Sequence, residues 1–162
     1  MYTIRPLQQS DYSSVQRIYQ AGIDTGQATF ETQAPNWKEW DAKYLEQLRF
    51  VGEDAHGIVA WAALLPVSDR AVYRGVAEIS IYVALDQQAK GIGSELMGHL
   101  ITASERQGIW TIQANMFPEN AASRRLHLRH GFREVGIRHK IAQQYGRWRD
   151  TLLMERRSEL VF

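Results

Sequence analysis

Two adjoining stretches, EISIYV at residues 78–83 and QAKGIGSEL at residues 88–96, decide how this 162-residue chain is interpreted. In the first, the apolar residues Ile79, Ile81 and Val83 occupy alternate positions, which is typical of a β-strand. In the second, closely spaced glycines precede a helical pattern of apolar residues. The sequence therefore predicts a strand that leads through a tight turn directly into a helix.

The start of this helix is suited to binding an anion. N–H groups in the first turn of a helix lack intrahelical acceptors, and the helix dipole adds partial positive charge. Gly91 and Gly93 would let a phosphate approach the backbone closely. Neither a Walker A loop nor a dinucleotide fingerprint fits, because Lys90 precedes Gly91 and Leu96 stands where a third glycine is required. The alternative interpretation is that these residues form an ordinary strand-to-helix turn and not an anion site.

The rest of the chain alternates between predicted strands and helices. Strands are predicted over residues 3–5, 50–52, 58–65, 76–85, 110–116, 132–137 and 147–155. Helices are predicted to begin near Ser10, Asn36, Gly91 and Asn120, and the second continues through Tyr44 to Leu48 in the helical spacing. The order β-α-α-β-β-β-α-β-α-β-β predicts an α/β (α+β) fold in one domain over residues 1–162.

Composition excludes several classes of protein. The chain has no cysteine, so disulfides, thiolate nucleophiles and cysteine metal sites are impossible. A formal net charge of +1 argues against a dedicated nucleic-acid binder. No apolar run approaches the roughly 20 residues that span a bilayer, and residues 1–6 lack the apolar core of a signal peptide, so we expect a cytoplasmic protein. His127 and His130 have no local carboxylate or third histidine, and no metal site is expected.

Two motifs together carry a resemblance to a known family. Gln-x-x-Gly-x-Gly at residues 88–93 resembles the acetyl-CoA loop of the GNAT (Gcn5-related) N-acetyltransferase superfamily, and NAASRRLHLRHGF at residues 120–132 resembles its later helix. Within the superfamily, four pieces are similar to phosphinothricin and methionine-sulfoximine acetyltransferases. They are Thr29–Thr32, Tyr73-Arg74, Ser123-x-x-Leu126-His127 and Tyr145-Gly146-Arg147-Trp148-x-Asp150. The chain departs from that subgroup at Gln143-Gln144 and at Arg149.

The resemblance implies a mixed, mostly antiparallel sheet of about seven strands with four helices, and direct acetyl transfer from acetyl-CoA to a primary amine. It also implies a homodimer. The implied cofactor-binding residues are Ile81, Tyr82, Val83, Gln88, Ala89, Lys90, Gly91, Ile92, Gly93, Ser94, Asn120 and Ser123. The implied substrate-binding residues are Phe30, Glu31, Arg74, Tyr145 and Arg147.

By the same resemblance, Glu78 is the candidate base that takes a proton from the amine through water. An ordinary glutamate is a weak base, so burial would have to raise its pKa. His127 is the candidate to protonate the departing thiolate or to position a water, with Tyr82 or Tyr145 as substitutes. Arg74 and Arg147 offer bidentate partners for a substrate anion. Acetylation of a protein or peptide amino terminus, and a catalytically silent acyl-CoA-binding sensor, stay open as alternatives.

Overall fold

A computed structural model describes residues 1–162 and places all the strands in one seven-stranded sheet flanked by four α-helices. The strands are β1 (Thr3–Pro6), β2 (Arg49–Asp54), β3 (Gly57–Pro66), β4 (Val76–Val83), β5 (Thr111–Met116), β6 (Arg133–Gln144) and β7 (Arg147–Arg157). The helices are α1 (Tyr12–Asp24), α2 (Trp37–Lys43), α3 (Ile92–Arg106) and α4 (Ala121–Arg129). The predicted fold class and element order are confirmed. None of these helices combines the length and apolar character needed to cross a membrane.

The sheet has the order β1-β2-β3-β4-β5-β7-β6, and its one parallel pair lies in the middle. All other neighbouring strands are antiparallel. The parallel ladder between β4 and β5 contains only three residue pairs, from Val76 with Thr111 to Glu78 with Gln113. Beyond Glu78 the two strands are no longer paired, so the sheet opens in its centre.

Alternation along β3 separates two hydrophobic cores. Ala60, Ala62 and Leu64 lie in a core with the apolar residues of α3, on one face of the sheet. Trp61 and Ala63 lie in a second core with residues of α1 and α2, on the other face. Successive side chains of a strand point to opposite faces, so a strand buried on both sides supplies each core in turn.

The second helix is shorter than predicted. It ends at Lys43, and Tyr44 already has an extended backbone. The buried guanidinium of Arg49 donates to the carbonyl oxygens of Asp41 (2.8 Å) and Tyr44 (2.6 Å), which satisfies acceptors at the helix end. The helical spacing of the apolar residues was misleading. Tyr44 and Leu48 are buried, but they belong to a non-helical segment that pairs with β3. The predicted cap is confirmed, since Asn36 Oδ1 accepts from the Glu39 N–H at 2.9 Å.

The last two strands form a longer hairpin than predicted. β6 continues to Gln144, well past the predicted end at residue 137, and its register shifts at two points. Its residues are almost all exposed, so the apolar alternation that marks a strand is missing there. Tyr145 and Gly146 both have positive φ (51° and 76°) and make the two-residue turn to β7.

Candidate active site

A cavity of about 1360 Å³ occupies the opening between β4 and β5. Residues 79–83 of β4 and 114–116 of β5 line it from the two sides. Because β4 pairs with β3 along one edge only, its opposite edge from Ile79 onward presents backbone N–H and C=O groups to the cavity. An extended chain with amide groups can therefore pair with β4 as an added strand.

The start of α3 forms one end of the cavity. Gly91 precedes the helix with φ +97°, a conformation that an L side chain would strain, and it therefore requires glycine. The Gly91 carbonyl accepts from the N–H groups of Ser94 and Glu95, both at 3.1 Å. The N–H groups of the first turn before them lack helical acceptors and are available to an anion. We call this end, with β4 and α4, the cofactor half.

The amino end of α4 contributes one amide to the cofactor half. Asn120 caps the helix, because its Oδ1 accepts from the Ser123 N–H at 3.2 Å. This bond uses the oxygen of the Asn120 amide and leaves its Nδ2 donors free. A carbonyl of a ligand arm is the partner that such donors suit.

His127 is buried on α4 and lines the cavity. Its Nδ1 lies 2.7 Å from the carbonyl oxygen of Ser123. Because a carbonyl only accepts, Nδ1 carries the proton and Nε2 carries the lone pair in the neutral ring. Burial lowers the pKa of His127 below its ordinary value, against the opposing effect of the Ser123 hydrogen bond. The neutral ring is therefore a hydrogen-bond acceptor through Nε2, and its role as the group that protonates the thiolate or positions a water stays a prediction.

Glu78 lies where the parallel ladder ends. Its Oε1 accepts from Gln113 Nε2 at 3.0 Å and from Asn115 Nδ2 at 2.6 Å. Both donors are on β5, so the Glu78 side chain links β4 to β5 at the point where their pairing ends. The other oxygen, Oε2, accepts no hydrogen bond from the protein and is free to bind a water or an amine.

Residues 25–31, which we call the acceptor loop, cover the end of the cavity beside Glu78. Phe30 and Glu31 line this end, and the Phe30 ring packs edge-on against Phe117 with centroids 5.0 Å apart. Lys43, at the end of α2, also lines the cavity, and its Nζ lies 5.4 Å from the ring centroid of Tyr44, whose hydroxyl contacts Ser80 of β4. We call this end the acceptor half.

An aromatic group forms the floor of the acceptor half. Tyr82 stacks on Trp61 with ring centroids 5.1 Å apart and contacts Tyr19 at 4.7 Å. Burial raises the pKa of Tyr82, so its phenol stays protonated at neutral pH. Burial likewise raises the pKa of Tyr44 to about 12, and the Tyr44 hydroxyl donates to Ser80 Oγ at 2.9 Å. The floor is therefore uncharged.

Most of the predicted site residues line this one cavity. They are Phe30, Glu31, Glu78, Ile81, Tyr82, Val83, Gln88, Ala89, Gly91, Ile92, Gly93, Ser94, Asn120, Ser123 and His127. These residues come from the acceptor loop, β4, the turn before α3 and the start of α4. The catalytic and binding roles of the individual residues stay predictions.

Four of the residues predicted to bind cofactor or substrate do not line the cavity, and their roles also stay predictions. The Lys90 side chain is exposed and its Nζ lies 3.4 Å from Gln87 Oε1. Arg74 is held at the start of β4, where its guanidinium lies 5.4 Å from the ring centroid of Trp110. Tyr145, at the tip of the β6–β7 hairpin, is 75% exposed, and Arg147 beside it is also exposed.

The structure also brings in residues that the sequence patterns did not indicate. Gln113 and Asn115 alternate on β5, and that polar alternation beside a parallel partner was the available signal. No sequence pattern indicated that Lys43 lines the cavity, because lysine is common at the carboxyl end of a helix. Arg149 stood out only as a departure from the resembled subgroup.

The class of protein follows from this fold and from the comparison with known families. Residues 4–153 match the family described as the acetyltransferase (GNAT) domain, and the chain belongs to that family. It is an acetyl-CoA-dependent N-acetyltransferase, with acetyl-CoA as cosubstrate. The cavity suits this cosubstrate, because it offers an unpaired strand edge to a pantetheine amide chain and a helix start to a pyrophosphate.

Particular relatives are similar to this chain in sequence or in structure. A phosphinothricin N-acetyltransferase from Alcaligenes faecalis is 32% identical over 161 residues, which cover 95% of this chain and 81% of the relative. An L-methionine sulfoximine/L-methionine sulfone acetyltransferase from Pseudomonas aeruginosa is 40% identical over 83 residues, 51% of this chain and 48% of that protein. The crystal structure of a phosphinothricin acetyltransferase from Sinorhizobium meliloti in complex with acetyl-CoA matches with a TM-score of 0.86 and 26% identity, covering 99% of this chain and 95% of that one.

Proposed function

We propose that this enzyme acetylates the primary amine of a small amino-acid-like substrate, of the phosphinothricin or methionine sulfoximine type, by direct attack in a ternary complex. One observation carries the proposal: the sheet opens at Glu78, and the opening joins a cofactor half to an acceptor half covered by its own loop. The relatives named above act on substrates of this type. A direct attack suits a chain that has no cysteine to carry the acetyl group.

The cofactor half binds by backbone contacts. The free edge of β4 would pair with the amide groups of the pantetheine arm, and the N–H groups at the start of α3 would hold the pyrophosphate. Asn120 Nδ2 would donate to a carbonyl of the arm near the thioester. Acetyl-CoA supplies the activated acyl group, and the protein fixes its position relative to the amine.

Glu78 is proposed as the base that accepts a proton from the amine. An amine substrate arrives largely as an ammonium ion and must lose a proton before it attacks. The free Oε2 of Glu78 can accept that proton through one bound water, while Gln113 and Asn115 keep the carboxylate in place. His127, as an acceptor through Nε2, would orient that water or the amine.

Lys43 is proposed as the partner of the substrate's anionic group. It is the lysine at the acceptor half, whereas Arg74 and Arg147 lie outside the cavity. A single ammonium would bind a carboxylate or phosphinate as a point charge. Glu31, on the covering loop, carries the opposite charge and would favour a substrate that also bears an ammonium group.

Release of free CoA from acetyl-CoA, followed with a panel of amines, tests the proposal. The panel contains phosphinothricin, methionine sulfoximine, L-amino acids, polyamines and a peptide with a free amino terminus. Amine-dependent release with the small anionic amines is the expected result. Release with the peptide alone would favour amino-terminal acetylation, and acetyl-CoA binding without release would favour the silent sensor.

A homodimer is proposed through the outer edge of the sheet. β6 is the last strand of the sheet, and apolar side chains of the hairpin are exposed there, including Ile137 (48%), Ile141 (42%) and Trp148 (58%). An unpaired strand edge with exposed apolar groups is a surface that favours association. Light scattering after size-exclusion chromatography should give twice the chain mass, and Ile137→Lys should lower it. The cytoplasmic location stays a prediction.

A further inference from the structure

The hairpin of β6 and β7 holds the acceptor loop through Arg149. The Nη1 of Arg149 donates to the carbonyl oxygen of Gly26 and to Gln144 Oε1, both at 2.6 Å. Its Nη2 donates to Gln27 Oε1 at 3.1 Å. One guanidinium thus donates hydrogen bonds to two residues of the loop and one residue of its own hairpin. Its Nη2 also lies 3.6 Å from Glu119 Oε2, and its side chain is only 17% exposed.

Gln144 makes the second attachment. Its side chain is buried, and its Nε2 donates to the carbonyl oxygen of Thr29 at 2.8 Å. Because Arg149 binds the Oε1 of the same amide, it fixes which way the amide faces. Within the loop the hydrogen bonds are local, from Thr25 to Gly22 and from Glu31 to Thr29, and Thr29 also hydrogen-bonds to the side chain of Tyr82. Arg149 and Gln144 therefore tie the loop carbonyls to the sheet.

A stack of side chains continues this attachment into the cavity. The guanidinium of Arg149 lies 3.4 Å from the ring centroid of Phe117, which is buried at the end of β5. Phe117 in turn contacts Phe30, the loop residue that lines the acceptor half. The planar guanidinium can stack and donate in several directions at once, which an ammonium cannot do.

We propose that Arg149, with Gln144, is a positioning residue that holds the acceptor loop closed over the amine and so determines which amines the enzyme accepts. The inference rests on the proposed function, because it assigns the amine to the cavity end beside this loop. Loss of the attachment would release Phe30 and Glu31 from their positions. β4, α3 and α4 form the cofactor half without the loop. Its one link to Arg149 is the ion pair with Glu119 just before α4, and because Glu119 is 68% exposed, loss of this solvated pair should leave the backbone groups of the cofactor half in place.

Steady-state kinetics of Arg149→Leu and Arg149→Lys test the proposal, with Arg138→Leu as the matched control. Arg138 is an exposed arginine of the same hairpin, with no hydrogen bond or ion pair, so its removal should change neither KM. For Arg149→Leu we expect the amine KM to rise by about tenfold or more, because several charge-assisted hydrogen bonds are lost. The acetyl-CoA KM should stay within about twofold of wild type. Arg149→Lys should be intermediate, since it keeps the charge without the stacked fork.

Hydrogen exchange of the loop supplies a readout that does not need a substrate. Amides of residues 25–31 should exchange faster in Arg149→Leu and in Gln144→Leu than in wild type and Arg138→Leu, while the α3 amides stay protected. Unchanged loop exchange, or an equal rise in both KM values, would overturn the proposal. If the wild-type enzyme acetylates none of the amines, the proposed function fails, and the exchange experiment still decides whether Arg149 holds the loop.

Discussion

The cofactor half of the cavity is built mainly from backbone groups, whereas the acceptor half is built mainly from side chains. The free edge of β4 and the first turn of α3 present N–H and C=O groups whose positions depend on strand pairing and on Gly91. The acceptor half depends on Glu78, Lys43 and the acceptor loop. Backbone recognition tolerates most changes of side chain, so the two halves should respond to mutation in different ways.

The largest difference between the two halves in their response to mutation is expected from Glu78→Gln, which should lower turnover and leave acetyl-CoA affinity unchanged. Removal of a general base typically costs about 10²–10⁴-fold in turnover. The loss should be greatest at the lower end of the pH range and should shrink as more free amine is present at higher pH. Titration calorimetry should find acetyl-CoA affinity unchanged. A pH–rate profile parallel to that of wild type would remove Glu78 as the base.

Gly91→Ala should have the opposite pattern, because it should impair acetyl-CoA binding and leave the acceptor half unchanged. A side chain at a positive φ costs roughly 1–2 kcal/mol, which would raise the acetyl-CoA KM by about tenfold if the turn relaxes to relieve the strain. The amine KM should stay as in wild type. Gly57→Ala is the control, because Gly57 also has positive φ (129°) but is the first residue of β3, after the turn from β2. If both variants raise the acetyl-CoA KM equally, the effect is global and the comparison fails.

A smaller effect in the acceptor half is expected from Lys43→Met. Loss of one partly solvated ion pair with the substrate should raise the amine KM by about three- to tenfold and leave the acetyl-CoA KM alone. Lys38→Met, on the exposed surface of the same helix, is the control and should behave as wild type. An amine KM unchanged in Lys43→Met would contradict the proposed contact. Polyamine acetylation, if present, should not fall in this variant.

The smallest effect concerns stability and pH in the cofactor half. Because burial lowers the pKa of His127, the unfolded state binds more protons than the native state between the lowered value and about 6.5. This contribution to the free energy of unfolding is complete above about pH 6.5 and is lost as the pH falls through the native pKa.

Thermal unfolding near pH 7.5 and pH 5.5 checks this prediction. The midpoint of wild type should fall by a few degrees more than that of His127→Gln between the two conditions. The variant should keep part of the dependence, because burial also lowers the pKa of His130. Equal pH dependence in both proteins would show that His127 is protonated as easily in the native state as in the unfolded chain.

The predictions from sequence succeeded where backbone geometry restricts the residue type. Gly91 was predicted in a tight turn at a helix start and has a left-handed backbone there, and Asn36 was predicted to cap α2 and does so. The extent of α2 was wrong, because helical spacing at Tyr44 and Leu48 also suits a buried segment that pairs with a strand.

The acceptor half was less predictable, because its parts are distant in sequence. Arg74 and Arg147 belong to conspicuous motifs, yet stacking on Trp110 and a position beside the hairpin turn keep them out of the cavity. Arg149 differs from Arg147 by two residues in sequence and is inserted against Phe117 instead. No local pattern distinguishes an arginine that packs inward from one that stays in solvent.

The sequence by itself determined the order of the elements, the glycine-containing turn before α3 and the family. These depend on local periodicity, capping and glycine conformation, which act over a few neighbouring residues. Only the tertiary structure decided where the sheet opens, which charged side chains line the cavity, and that Arg149 and Gln144 reach the acceptor loop. The last of these features joins residues more than a hundred positions apart, and packing of the hairpin against the loop, rather than any local preference, fixes its geometry.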